Sequence, residues 1–145
     1  MRCGLIGASL GHSFSKEIHE KLGRYEYELI EIPPEKLDAF MTARDFDGIN
    51  VTIPYKQAVI PYLDALSPRA EAVCAVNTIC RRGGRLCGDN TDFGGLEALI
   101  RRMGLDLQGR TVLIAGSGGT SRTAAAWIST GSPPCGASWT SYTTR

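Results

Sequence analysis

The chain lacks any long hydrophobic run. None of its 145 residues sits in an apolar stretch long enough to cross a bilayer, and the opening MRCGLIGASLG is too short and too glycine-rich for the apolar region of a signal peptide. These absences make the cytoplasm the expected location. A strong net charge is also missing: 16 Lys and Arg stand against 15 Asp and Glu, a formal +1. Such a balance offers no field to gather nucleic acid or an anionic membrane, so neither is an expected partner and small-molecule chemistry is. Cysteine is scarce and irregular. Cys3, Cys74, Cys80, Cys87 and Cys135 are odd in number and share no repeating pair spacing, which suits neither a disulfide framework nor a zinc site. Reduced, mostly buried thiols and no metal are expected. Charge then disappears locally: after Arg122 no Lys, Asp or Glu occurs, and the stretch SPPCGASWTSYTTR has neither helical nor strand periodicity.

What is present suits a folded domain. Hydrophobic residues at 43% and charged residues at 21% allow a buried core, and the length accommodates one ordinary domain and the beginning of another. Residues 2–7 read as a strand, 14–23 as an amphipathic helix closed by Gly23, 27–32 as a half-buried alternating strand, and 35–44 as a helix opened by two prolines. Residues 48–53 form a β-branched run stopped by Pro54, followed by an expected helix over 55–63. Ser67 and Pro68 have the order of an N-cap and first helical residue. Two further strands flank Gly83 and Gly84, whose tolerance of positive φ predicts a tight hairpin. A helix over 91–103 carries Phe93, Leu96, Leu99 and Ile100 on one face and ends at Gly104. The continuous apolar run 111–115 predicts a buried parallel strand leading into GSGGTSR. Strands alternating with helices point to an α/β fold, with a boundary between two units near residues 105–109.

Four constellations carry chemistry. Ser13 and Ser15 place two hydroxyls at a predicted helix mouth, a receptor for a carboxylate, although a plain helix cap explains them equally well. In NVTIPYK a strand delivers Asn50, Thr52 and, past a proline bend, Lys56 to a strand-to-helix junction, where ligands of α/β proteins gather; an exposed surface lysine is the alternative. Asn77 in AVNT and Asp92 in GDNTD present an amide and a carboxylate, and an Asp near a Lys can move a proton to or from a hydroxyl carbon. Capping of the next helix by Asn90 or Thr91 would also account for GDNTD. Gly116, Ser117, Gly118, Gly119, Thr120, Ser121 and Arg122 follow an apolar run as a phosphate-binding loop would, with Ser121 where the usual fingerprint has its third glycine.

Taken in order, GASLGHSFSKEIHE, GINVTIPYK, AVNTI, GDNTDFGG and IAGSGGTSRTA resemble the successive signature motifs of the shikimate dehydrogenase family, over roughly residues 3–126. The resemblance implies a three-layer α-β-α substrate-binding domain with a mainly parallel sheet over residues 1–104. Residues 105–145 would then hold the incomplete first βα unit of a Rossmann-type NADP-binding domain. It further implies that Ser13 and Ser15 hold the carboxylate of shikimate, that Thr52, Asn77 and Asp92 bind its ring hydroxyls, and that Asn50 belongs to the same pocket wall. Lys56 with Asp92 would handle the proton at the reacting carbon, and residues 116–122 the cofactor NADP. The implied reaction is the reversible reduction of 3-dehydroshikimate to shikimate by NADPH, a step toward aromatic amino acids.

The motif set departs from the family in two ways. The Asn-Arg-Thr segment that contacts the 2′-phosphate and the late glutamine and aromatic residue that close the cleft have no counterpart in the sequence. From about Trp127 onward the tail departs from the family pattern, as a frameshift or a truncation would produce. The expectation is therefore a substrate-binding fragment with little or no turnover of its own, its segment after Gly109 exposing unpaired strand edges. A relative acting on quinate or an aminated shikimate, with NAD, a non-catalytic binding or dimerising module, and a defective gene product without a function of its own remain the alternatives, and a homodimer is admitted among the partners.

Overall fold

The computed structural model describes residues 1–107, 110–116 and 118–130. Ser117, Cys135 and the tail from residue 131 fall outside the described residues. The chain divides into two compact units, one of Met1–Glu71 with Ala75–Asn90 and the other of Ala72–Cys74 with Thr91–Arg145.

The first unit is built on a six-stranded sheet. Its strands are β1 (Arg2–Gly7), β2 (Glu26–Glu31), β3 (Gly48–Val51), β4 (Ala65–Leu66), β5 (Thr78–Arg82) and β6 (Arg85–Asp89), in the spatial order β2-β1-β3-β5-β6-β4. β1 pairs in parallel with β2 and β3, β4 in parallel with β6, while β3–β5 and β5–β6 are antiparallel. The sheet is thus mixed and mainly parallel, and the fold is α/β. Its helices include α1 (Ser15–Leu22) and α2 (Leu37–Ala43), and α3 (Pro68–Val73) straddles the division between units.

Alternation along the strands decides which side chains reach the core. Ile6 on β1, Ile49 and Val51 on β3, Ile79 on β5 and Leu86 on β6 point to one face, where they pack with Met41 of α2; all are buried. Each such side chain contributes about 1.5–3 kcal/mol by leaving water. The other face carries a smaller cluster of Leu5, Leu10 and Tyr27. Gly83 and Gly84 have φ of 55° and 79°, the positive values of a two-residue hairpin turn between β5 and β6. Ser67 caps α3 as its sequence position predicts, its hydroxyl accepting from Ala70 N at 3.1 Å.

In the second unit α4 (Asp92–Arg102) packs on α5 (Gly119–Thr130). Gly104, at φ 64°, closes α4 in a Schellman arrangement: its N–H donates to Arg101 O at 3.0 Å and that of Leu105 to Ile100 O at 3.3 Å.

Several expectations need correction. Residues 55–63 do not form an α-helix but turns followed by a short 3-10 segment, Ile60–Tyr62. Pro61 lies where a helix would need its N–H to bond four residues back. Residues 111–115 form no strand, and Leu113 is 73% exposed, because a strand is completed by hydrogen bonds to a neighbour and none pairs with it among the described residues. On α4, Phe93 is buried but Leu99 is 53% exposed, so the apolar face is narrower than expected. The thiols are less hidden than expected as well: Cys3, Cys80 and Cys87 are half-buried and Cys74 is exposed, with a left-handed φ of 51°.

Candidate functional site

The sheet's topology brings four chain segments to one end. Because β1 and β3 run parallel, their C-terminal ends are neighbours, and the antiparallel β5 and β6 bring the start of β5 and the end of β6 beside them. Backbone hydrogen bonds tie the emerging loops together. Ala8 N donates to Ile53 O at 3.3 Å, Thr52 N to Ile6 O at 2.9 Å, Val51 N to Asn77 O at 2.8 Å and Val76 N to Lys56 O at 2.7 Å. Asn77 N then donates to Asp89 O at 3.0 Å. Thr52, Lys56 and Asn77 are therefore held at one end of the sheet by bonds that leave their backbones little freedom. In open α/β sheets, the region beyond the carboxyl ends of the strands is where ligands bind.

The loop after β1 is pinned to the same end. Leu10 N donates to Glu31 Oε1 at 2.7 Å, and Ser13 N to Leu10 O at 2.9 Å. Ser13 Oγ accepts from Ser15 N at 3.2 Å, which satisfies one of the unpaired N–H groups of the α1 N-terminus. Ser13 and Ser15 are both half-buried, while Phe14 between them is 69% exposed and supplies no side-chain cap. Two hydroxyls and a helix N-terminus with its positive dipole end thus meet in one short loop, a donor set suited to an anion.

The approach of the β1 and β3 loops requires a glycine at position 7. A Cβ there would stand 2.7 Å from Thr52 Cγ2 and 3.3 Å from Ile53 O. The Ile53–Pro54 peptide bond is cis, and Tyr55, buried, donates from its hydroxyl to Ile32 O while its N–H returns to Thr52 O at 2.9 Å. Lys56 follows this anchored turn and is half-buried. Its cation is therefore presented from a fixed backbone, which a lysine on a freely solvated helix would not be.

Asn50, expected in the same pocket wall, lies on β3. Its amide is engaged within the protein: Oδ1 accepts from the Tyr27 hydroxyl at 2.7 Å, and Nδ2 donates to Thr78 Oγ1 at 3.2 Å and to Asn77 O at 3.4 Å. Tyr27 is 2% exposed, and burial first, then the neighbouring Tyr25 and Cys3, pushes its phenol well above the ordinary range. The His19 ring of α1 stacks on the Tyr27 ring with centroids 3.9 Å apart, and its Nδ1 lies 2.6 Å from the Tyr25 hydroxyl. Tyr27 and His19 were not singled out from the sequence. The alternation of YELIEI places Tyr27 on a definite face, but which residue meets it across the sheet is a matter of register.

Asp92 belongs to the second unit, where it is the first residue of α4 and half-buried. A carboxylate there faces the positive end of the helix dipole. Thr91 makes no side-chain cap bond. In the same unit Gly116, at φ 128°, precedes α5, and a Cβ on it would come 2.7 Å from Ser121 Oγ. Gly118 is exposed with open space around it, Arg122 N donates to Gly118 O at 3.1 Å, and the first turn of α5 holds no acidic residue. Gly118, Gly119 and Thr120 thus stand at a helix N-terminus, whose free N–H groups are of the donor type that suits a phosphate group. Ser117, expected in the same loop, lies outside the described residues. Among the described residues no group of three or more His, Cys, Asp or Glu is placed to hold a metal, and no helix is long and apolar enough to cross a membrane.

Residues 5–79 match the family model of the shikimate dehydrogenase substrate binding domain. A shikimate dehydrogenase (NADP(+)) of an Exiguobacterium species is 44% identical over 131 residues, which is 84% of this chain and 49% of the relative. A shikimate dehydrogenase structure from Peptoclostridium difficile superposes with a TM-score of 0.82 at 36% identity, covering 88% of this chain and 51% of that one. The enzyme from Thermus thermophilus, solved in complex with NADP(H) and shikimate, gives a TM-score of 0.76 at 36% identity, covering 87% and 51%. The chain spans about half the length of the curated relatives it matches. With more than half of its residues inside the matched model and its sheet superposing on those structures, the chain belongs to the shikimate dehydrogenase substrate-binding domain family.

Proposed function

We propose that this chain binds shikimate and 3-dehydroshikimate as the substrate half of a shikimate dehydrogenase, with residues 1–104 as the substrate domain and 105–145 as the beginning of an NADP-binding domain. The observation that carries the reading is the gathering of the β1 loop with Ser13 and Ser15, the end of β3 with Thr52 and Lys56, and Asn77 at one end of a single sheet. A hydroxylated ring carrying one carboxylate needs an anion receptor, several side-chain donors and acceptors, and one proton donor, and these residue types supply them.

In this reading the Ser13 and Ser15 hydroxyls donate to the carboxylate, supported by the α1 dipole. Thr52 and Asn77 hydrogen-bond ring hydroxyls, and Asn50 holds the wall between them. Lys56 gives its proton to the oxygen of the carbonyl as that carbon is reduced and takes it back in the reverse direction, and Asp92 has the role that the family resemblance implies, orienting the hydroxyl and the ammonium. NADPH, when bound, supplies the reducing equivalent, and Gly116, Gly118, Gly119, Thr120, Ser121 and Arg122 are the residues that would hold one of its phosphates, with Ser117 of the same loop. Shikimate binding is assigned to residues 1–104, and the cofactor contact to the loop at residues 116–122.

Calorimetric titration of the purified chain with shikimate tests this. The expected result is saturable binding that Ser15→Ala and Asp92→Ala each weaken by tenfold or more. Absence of shikimate binding to a folded chain would overturn the reading.

A further inference from the structure

The strongest unassigned feature of the first unit is a line of hydrogen bonds that runs in one direction. The Tyr27 hydroxyl donates to Asn50 Oδ1 (2.7 Å), Asn50 Nδ2 donates to Thr78 Oγ1 (3.2 Å), and the Thr78 hydroxyl donates to Asn77 Oδ1 (3.1 Å). Each hydroxyl in such a chain has its proton committed by the next acceptor, so the bonds polarise one another and the orientation of every member is fixed by the one before it. An Asn amide has two ends that differ only in donor or acceptor character, and its orientation is set by its partners. Here the oxygen end of Asn77 accepts from the relay, so its nitrogen is the end that donates.

The origin of the relay is rigid. Tyr27 is buried at 2% exposure, and its ring is stacked against the parallel His19 ring, at an interplanar angle of 6°. His19 is itself held at Nδ1 by the Tyr25 hydroxyl, 2.6 Å away. The relay crosses three strands: Tyr27 on β2, Asn50 on β3, Thr78 on β5. β1 lies between the first two, so the Tyr27 side chain reaches over it. The facing residues of β1 are Cys3, at most a weak donor, and Leu5, which has no polar atom in its side chain, so the phenol is the strong donor to the amide oxygen.

We propose that Tyr27 is a positioning residue for ligand recognition: through Asn50 and Thr78 it sets the Asn77 amide with its nitrogen as the donor to a ligand hydroxyl oxygen. This rests on the reading above that Asn77 binds a ring hydroxyl. Asn50 accordingly acts inside the protein, as the middle of the relay. His19, by stacking on Tyr27, couples the same relay to α1, whose N-terminus carries Ser15.

A double-mutant cycle on shikimate affinity tests the proposal, with the folded state of every variant checked by circular dichroism. Tyr27→Phe removes only the first donor and is expected to weaken shikimate binding about tenfold, in line with loss of one buried hydrogen bond. In an Asn77→Ala background the same change is expected to have no further effect. Should Tyr27→Phe fold poorly, Asn50→Asp keeps an acceptor for Tyr27 and removes the donor to Thr78, and it carries the same expectation. Wild-type affinity in Tyr27→Phe, or an equal loss with and without Asn77, overturns the proposal. Proton exchange of the Asn50 and Asn77 side-chain amides, followed by NMR without ligand, separates the two readings. If the wild-type chain binds no shikimate, the functional reading falls, and the relay is then decided by exchange alone: acceleration in Tyr27→Phe sustains it and an unchanged rate overturns it.

Discussion

Two apolar segments of the chain make an instructive pair. RCGLIG at residues 2–7 and TVLIA at residues 111–115 are both short apolar runs, each followed by a glycine-containing loop and a helix. The first is β1, paired on both sides, with Ile6 fully buried. The second forms no ladder, and Leu113 stays 73% exposed. Local composition does not distinguish them. The difference lies in neighbours: β2 and β3 come from residues 26–31 and 48–51 and satisfy the backbone of β1, whereas the described residues around 111–115 offer no such edge. Helix α5 forms all the same, because its hydrogen bonds close within one segment. Helices can be made by the sequence that codes for them, but strands require distant sequence to arrive.

The largest effect expected from this contrast is in the core. Ile79→Ala, at a fully buried position in the main cluster, should lower stability by about 2–5 kcal/mol, while Leu113→Ala should change it by less than about 0.5 kcal/mol, both read from urea unfolding midpoints. A comparable loss at Leu113 would show that residues 111–115 do pack as a strand in solution. The next largest concerns the β1–β2 contact. A Cβ at Gly4 would stand 2.6 Å from Glu28 O, a backbone atom that cannot swing aside, so Gly4→Ala should cost about 1–3 kcal/mol through separation of the two strands. Gly118→Ala, in open space, is the matched control and should be near neutral by the same measurement.

A smaller effect is expected at the α3 cap. The Ser67 hydroxyl bonds Asp89 Oδ1 and accepts from Ala70 N, so Ser67→Ala should cost about 1 kcal/mol in the same unfolding experiment. The smallest is a pH effect at Asp64. Its carboxylate accepts from Leu86 N at 2.7 Å, which contributes most to holding its pKa below the ordinary value, with Arg44 at 2.9 Å next. A carboxylate lowered in the folded state stabilises above its unfolded pKa, near about 3.9, and that contribution fades as the pH falls through the folded value. Asp64→Asn should therefore show a flatter fall of the thermal midpoint below about pH 4 than the unchanged chain, and identical acid limbs would remove Asp64 from the account.

Much of the first unit was legible. A short apolar run identified β1, period-two alternation β2, paired glycines the hairpin, and Ser67-Pro68 the start of α3, since each depends on local stereochemistry. What escaped was set at a distance or by one residue against its neighbours. The two-residue β4 exists only through its pairing with β6, and the helix expected over 55–63 yielded to Pro61. Of the site, Ser13, Thr52, Lys56 and Asn77 could be named from motif order, and the sheet gathers their segments at one end. The engagement of Asn50 with Tyr27 and Thr78 could not, because strand order and register decide which side chains meet. Cys74 escaped as well, an exposed residue with a left-handed backbone that no sequence pattern announced.

The Gly83–Gly84 hairpin lies at the far end of β5 from Asn77, and a side chain at either glycine would meet no atom within 4 Å. It is consequently a natural port for grafting: a peptide epitope, a fluorophore-bearing loop or new chain termini could be introduced there with the strand register left in place. A reporter at that turn would leave untouched the opposite end of the sheet, where the segments of Thr52, Lys56 and Asn77 meet.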